Sequence, residues 1–259
     1  MRISPFFGVL RREVLRYLKV PYQTIGSPLI NSLLYLFIFG LSLGRSISLP
    51  GYPSYLLFLI PGLIMMASLK NAYDNAASSC VSSKYAGELI DLRYVPLTIS
   101  HIAWGYALAG LSRGVIVAFL TYAVGFSLVL GTQGQTLPIA HPWVFLYFLV
   151  IAGLAFSSLG LAVGMWAKNF DALTAINTFL LMPLIYFGGV FFSLDSLHPF
   201  WQKASHFNPI FYMISGIRYG LLGISDVNLG LAAIFSFGCF LLFHSLAFFA
   251  LRKGTNYHW

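Results

Sequence analysis

Charge is what this chain of 259 residues has least of. It carries 15 Lys and Arg and 7 Asp and Glu, together 8% of the sequence, against 58% hydrophobic residues and a mean hydropathy of +0.80. Soluble domains run near 25% charged, so a soluble globular fold is excluded and the chain reads as an integral membrane protein. Cysteine is nearly absent. Cys80 and Cys239 fall in or near different apolar runs, which excludes a disulfide framework. There is no phosphate-cradling GxxxxGK[ST], no HExxH, no paired-cysteine motif and no GxSxG. The six histidines, at 101, 141, 198, 206, 244 and 258, lack ligand spacing. The chain therefore offers no catalytic centre, no metal site and no cofactor site of its own, and if ATP drives it the ATPase is another polypeptide. The net charge of +8 would suggest nucleic acid in a soluble protein. Here the basic residues flank apolar runs, so anionic membrane lipid is the expected partner and nucleic acid is not. Arg11, Arg12, Glu13, Arg16 and Lys19 interrupt the first apolar residues, so these do not read as a cleavable signal peptide.

What the chain does have is apolar length. Six spans are expected, at about Leu29–Leu43, Tyr55–Asn75, Ile102–Leu130, Trp143–Ala167, Leu173–Phe192 and Leu231–Leu251. Residues 1–26 hold an amphipathic helix (about 5–20) with Phe7, Leu10, Val14 and Leu18 on one face and Arg12, Arg16 and Lys19 on another. That pattern suits a helix lying in the headgroup plane, or one packed on another protein. Pro21, Gly26 and Pro28 break the chain before the first span. Residues 193–228 are too interrupted by Pro199, Pro209 and glycines for a clean span and too apolar for a solvated loop. They read as short re-entrant helices at the outer surface. If the N-terminus is cytoplasmic, ten Lys and Arg fall in inner segments and three in outer ones, which favours both termini inside a multi-pass membrane protein. The whole of 1–259 is one all-α membrane domain.

A few polar residues stand out against this background. Lys70 and Asp74, four apart near the inner end of the second span, share a helix face. They are either a transport-path or gating pair, or a structural pair whose ammonium reaches the headgroups. Arg113 lies deeper, on a small-residue stretch with Gly110, Ser112 and Gly114, and the sequence does not choose its partner. Gly153, Ser157, Gly160 and Gly164 form a stripe that lets helices approach closely. In the segment 76–101, Ala86 to Arg93 mixes Leu89, Ile90 and Leu92 with Glu88, Asp91 and Arg93. It is either a short helix docking into a partner's groove or a solvated loop.

FLIPGLIMM (Phe58 to Met66), GELIDLRYVPLT (Gly87 to Thr98), YFGGVFFSL (Tyr186 to Leu194) and NPIFYMISGIRYGLLGISD (Asn208 to Asp226) occur in that order. Together they resemble the membrane subunits of ABC transporters of the ABC-2 type, in the branch of small bacterial exporters that includes the nodulation-factor permeases. The resemblance implies a bacterial inner-membrane half-transporter that pairs with a second copy of itself and with two copies of a separate ATP-binding subunit, which would hold ATP and Mg. It implies that Gly87, Glu88, Leu89, Ile90, Asp91, Leu92 and Arg93 couple to that ATPase. It also implies that Tyr35, Phe39, Met65, Met66 and Phe179 flank a path for a large or amphipathic cargo (lipid, glycolipid, saccharide or drug-like), and that Asn208, Pro209, Tyr212 and Arg218 belong to an outer gate; Lys70 and Asp74, whose charges depart from the family pattern, join the path candidates on their own chemistry. The alternative is an ion-coupled secondary transporter or channel that needs no ATPase and uses Lys70, Asp74 and Arg113.

Overall fold

The computed structural model describes residues 5–45, 47, 49, 51–88, 97–193 and 198–254. The regular structure among them is helical: α1 (Pro5–Leu18), α2 (Tyr22–Ser42), α3 (Tyr55–Tyr85), α4 (Ile99–Gln133), α5 (Pro142–Trp166), α6 (Phe170–Tyr186), α7 (Pro199–His206), α8 (Pro209–Leu222) and α9 (Leu229–Gly254). Five of these, α2, α3, α4, α5 and α9, are long and apolar enough to cross a membrane. The sequence places a sixth span at Leu173–Phe192. Its counterpart α6 is shorter, and at 1.5 Å per residue it covers about 26 Å against a hydrocarbon core of about 30 Å. It stops where Gly189 adopts a φ of +82°, a conformation that favours glycine.

The first span begins earlier than the sequence suggests. Gly26 and Pro28 do not break it, because Pro28 sits in the first turn of the regular segment Ser27–Tyr35, where a missing N–H costs nothing. The wide turn Tyr22–Gly26 carries the helix across the junction. At the other end of α3 the helix runs on to Tyr85, past the expected end at Asn75.

α3 is the axis of the bundle. It is buried on most sides from Tyr55 to Ser83, and the positions left open, Met66, Ala67, Lys70, Asn71, Asp74, Ser78 and Ser82, fall on one face. α4 and α5 grip it through glycines. A Cβ at Gly114 would come 2.9 Å from the Ser68 carbonyl, one at Gly164 would come 2.9 Å from the Ala77 carbonyl, and one at Gly160 would overlap the Tyr73 backbone. The small-residue stripe is thus a packing surface. Pro61 and Gly62 let the non-helical stretch after α6 settle against α3, where Gly62 faces the Val190 backbone and the Tyr55 hydroxyl donates to the Phe191 carbonyl at 2.7 Å.

α8 is buried against α5, α9 and α3, capped by Asn208 at its start and by Gly223 (φ +73°) at its end. Its last carbonyls, Gly220 and Leu221, accept from the backbone of His141 and Ala140, which joins it to the start of α5. α1 crosses α4, with Val9 against Gly105. The sequence points to Phe7, Leu10, Val14 and Leu18 as its apolar face, but the structure buries the neighbouring stripe Val9, Glu13 and Tyr17 and leaves Phe7 and Leu18 exposed. Leu10 and Val14 of the expected face are half-buried, so the stripe that carries Glu13 and Tyr17 is the one turned to the protein.

If close backbone approach holds the bundle, Gly160→Leu should lower stability by about 1–3 kcal/mol or prevent folding, as overpacking does. Gly131, which faces open space, should accept the same change with little effect. Thermal unfolding of both variants in detergent checks the contrast.

Candidate functional site

Among the described residues the bundle's polar groups gather in three places. The first is built around Glu13, 1% exposed on α1. Its carboxylate accepts from Arg12 (2.8 Å) and from Ser79 of α3 (2.5 Å), and lies 3.5 Å from Arg16 Nε. Arg16 reaches the Asn75 carbonyl and side chain of α3 (2.8 and 2.9 Å), and the Tyr17 hydroxyl pairs with Ser112 of α4 (2.9 Å). Arg12 also donates to the Tyr106 hydroxyl at 3.1 Å and to Glu88 Oε2 at 3.4 Å, and Ser83 donates to the same Glu88 oxygen at 3.1 Å. Burial alone would lower the Arg12 pKa, but the Tyr106 hydroxyl and the Glu13 and Glu88 carboxylates that face it outweigh that and leave it raised. The result ties α1 to α3, to α4 and to the segment that leaves α3 through Gly87 (φ +74°). Lys84 donates to the Met165 and Ala167 carbonyls, fastening the same end of α3 to the end of α5.

The second lies between α2, α3 and α6. Lys70 and Asp74 form an ion pair at 2.6 Å, and Asn177 of α6 donates to the other Asp74 oxygen at 3.1 Å. Beside them is a cavity of about 110 Å³ to which Asn31, Tyr35, Met66, Lys70, Asn71 and Tyr186 contribute. At its far side Tyr35 and Tyr186 approach hydroxyl to hydroxyl at 3.4 Å, and Tyr35, Phe39, Tyr186 and Phe191 pack ring against ring. The wide turns Leu36–Ser42 in α2 and Asn177–Leu181 in α6 flank this cleft. Such turns re-aim side chains and recur at functional sites.

The third is at the opposite end of α3. Arg218 of α8, 1% exposed, pairs with Asp226, donates to the Gly189 carbonyl at 3.0 Å and lies 4.1 Å over the Phe58 ring. Tyr52 donates to Asp226 at 3.2 Å. Asn208 donates to the Leu184 carbonyl at 2.6 Å, and Tyr212 to the His206 carbonyl at 3.0 Å. One arginine therefore clamps α8, the loop after α6 and the start of α3.

Of the residues singled out from sequence, Tyr35, Met66 and Lys70 line the cavity, Phe39 and Asp74 adjoin it, and Asn208, Pro209, Tyr212 and Arg218 share α8 and its cap. Met65 is buried in the core, and Phe179 faces outward beside an apolar groove with Trp201. Gly87 and Glu88 are at the end of α3; Leu89, Ile90, Asp91, Leu92 and Arg93 lie outside the described residues.

The family model described as ABC-2 type transporter matches residues 5–222, from α1 to the end of α8. The chain belongs to the ABC-2 type transporter family. It is accordingly a membrane component of an ABC transporter. It is 41% identical over 246 residues to the inner membrane transport permease YadH of Escherichia coli K12, covering 92% of this chain and 93% of that one. It is 28% identical over 227 residues to nodulation protein J of Rhizobium leguminosarum bv. trifolii, covering 84% of this chain and 81% of that one. Within this ABC-2 frame, sequence reasoning missed Glu13, Asn75, Ser79, Tyr106, Asn177 and Tyr186. Glu13 left one usable signal, as the sole acid before Asp74 in the sequence and four residues from both Val9 and Tyr17.

Glu13→Gln should destabilise the protein by about 3 kcal/mol, the low end for breaking a buried ion pair, because Arg12 and Arg16 keep about a third of their surface in contact with solvent. Arg218→Gln, which strands Asp226, should cost at least as much. Unfolding curves in detergent measure both.

Proposed function

We propose that this chain is the membrane permease of an ATP-driven exporter in a bacterial inner membrane, with both termini cytoplasmic, working as a pair of copies with a separate ATP-binding subunit on each. The observation that carries the reading is the ABC-2 family match over residues 5–222, together with the network that joins α1 to Glu88 through Arg12. The YadH and nodulation protein J likenesses support the same placement. On this reading the segment that begins at Gly87 and Glu88 rests on the ATPase. Closure of the ATPase pair pushes it, and Arg12 and Glu13 pass the displacement to α1 and α3 together. Rigid-body rocking of the two copies then exposes the α2–α3–α6 cleft to one side of the membrane and then the other. α6 would complete the sixth crossing with the stretch that follows it, and α7 and α8 would form the outer closure.

The chain itself breaks and makes no covalent bond; its part is to change which side a bound molecule can reach. The cleft mixes amide, hydroxyl, ammonium and aromatic groups, which suits a large or amphipathic cargo such as a lipid, a glycolipid or saccharide, or a drug-like molecule.

Glu88→Lys combined with Asp91→Lys should abolish copurification with the ATPase and ATP-dependent export while leaving the permease folded. Association and transport that persist at the wild-type level would contradict the coupling role. Copurification and stimulated ATP hydrolysis are the measurements.

A further inference from the structure

Arg113 is a cation that the bundle leaves without a counterion of its own. It sits mid-way along α4, and among the described residues it makes no ion pair and its Nε is shut away from solvent without a hydrogen bond. The charges that reach it are Asp74 and Arg16. Arg16 repels it and is committed to Glu13 and Asn75. Asp74 attracts it but is held by Lys70 and Asn177. Lys70 and Arg113 therefore face one carboxylate between them, and only Lys70 is paired with it. A second anion is missing, and Lys70 opens onto a cavity of about 110 Å³, room for a group the size of three or four waters at about 30 Å³ each.

We propose that this cavity receives the anionic head group of an amphiphile, a phosphate or carboxylate on an alkyl or acyl chain. Lys70 turns from Asp74 to the head group, and the released Asp74 carboxylate turns to Arg113. Before binding, the Lys70–Asp74 pair screens the site. After binding, each cation has its own anion, so the exchange completes the charge balance that the empty protein lacks. Asn31 lines the cavity beside Lys70, and Asn71, one of whose amide hydrogens goes to the Ala67 carbonyl at 2.9 Å, has a second to offer an oxyanion. The exposed apolar faces of α2 (Ile30, Leu34) and α6 (Phe179, Leu180) offer the chain a surface to lie along. The proposal rests on reading this cleft as the transport path and adds the cargo's chemistry to it.

The test uses the full chain in neutral detergent, with thermal unfolding titrated against dodecyl phosphate, phosphatidylglycerol, dodecyltrimethylammonium and inorganic phosphate. The two anionic amphiphiles should raise the midpoint saturably, and the cationic amphiphile and inorganic phosphate should not. Lys70→Gln should weaken dodecyl phosphate binding by about tenfold or more, the worth of a charge-assisted hydrogen bond, and Lys70→Arg should restore it. Asp74→Asn removes the competitor for Lys70 and should tighten binding, whereas a purely structural pair would lose binding in both variants. Equal protection by all four probes, or Asp74→Asn and Lys70→Gln shifting the affinity in the same direction, would overturn the proposal. ATP hydrolysis by the complex with its ATPase separates this from the wider reading. Selective binding without stimulated hydrolysis keeps the anion site and defeats the transport role, while stimulation without probe discrimination does the reverse. The amphiphile that accelerates hydrolysis marks cargo, and one that only protects marks a resident lipid.

Discussion

Glu13 is buried on a helix that otherwise faces the protein with Val9 and Tyr17, and its carboxylate has to be compensated where it sits. That requirement fixes the end of the molecule where α1 docks. Arg12 and Arg16 fold back over the carboxylate, Ser79 donates from α3, and the two arginines then use their remaining N–H groups on Asn75, Tyr106 and Glu88. The orientation of α1 and the anchoring of Glu88 both follow from it, as does the exposure of Phe7 and Leu18. In a chain with only seven acids, committing two of them, Glu13 and Glu88, to one network is a large share of its electrostatic means.

The same scarcity orders the rest. α3 carries polar groups at three levels: Phe58 and the Arg218 clamp at one end, Lys70 and Asp74 part-way along, and Asn75, Ser79 and Ser83 towards the other end. Because α4 and α5 press on α3 through close contacts at Gly110, Gly114, Gly160 and Gly164, the helix is poorly suited to bending from Ser68 to Cys80, whereas Pro61, between Phe58 and Lys70, interrupts its hydrogen-bond ladder. On the proposed coupling, a displacement delivered at Glu88 has a stiff route as far as the cleft, which suits rigid-body rocking.

Much of this was legible in the chain. Low charge and long apolar runs gave the helical membrane fold, and the spacing of Lys70 and Asp74 gave their pairing, because both depend on composition and local period. The glycine stripes announced close packing. Other features depend on what the neighbours supply. Glu13 lies among basic residues and reads as solvated until α3 is placed against it. Asn177 meets Asp74 only through the tertiary fold. Gly26 and Pro28 look like breakers because their helix survives through wide turns that no simple period encodes, and α6 ends early because Gly188 and Gly189 turn the chain back over α3.

The central claim is that α1 and α3 move as one body. Spin labels at Arg11 and Ser82, both exposed, would report it by pulsed dipolar spectroscopy on the proposed complex of two copies with an ATP-binding subunit on each, since the native cysteines are buried. The account predicts an Arg11–Ser82 distance within one copy that stays the same with and without bound ATP, while the Arg11–Arg11 distance between copies changes. A nucleotide-dependent change in the first distance, with the second fixed, would contradict it.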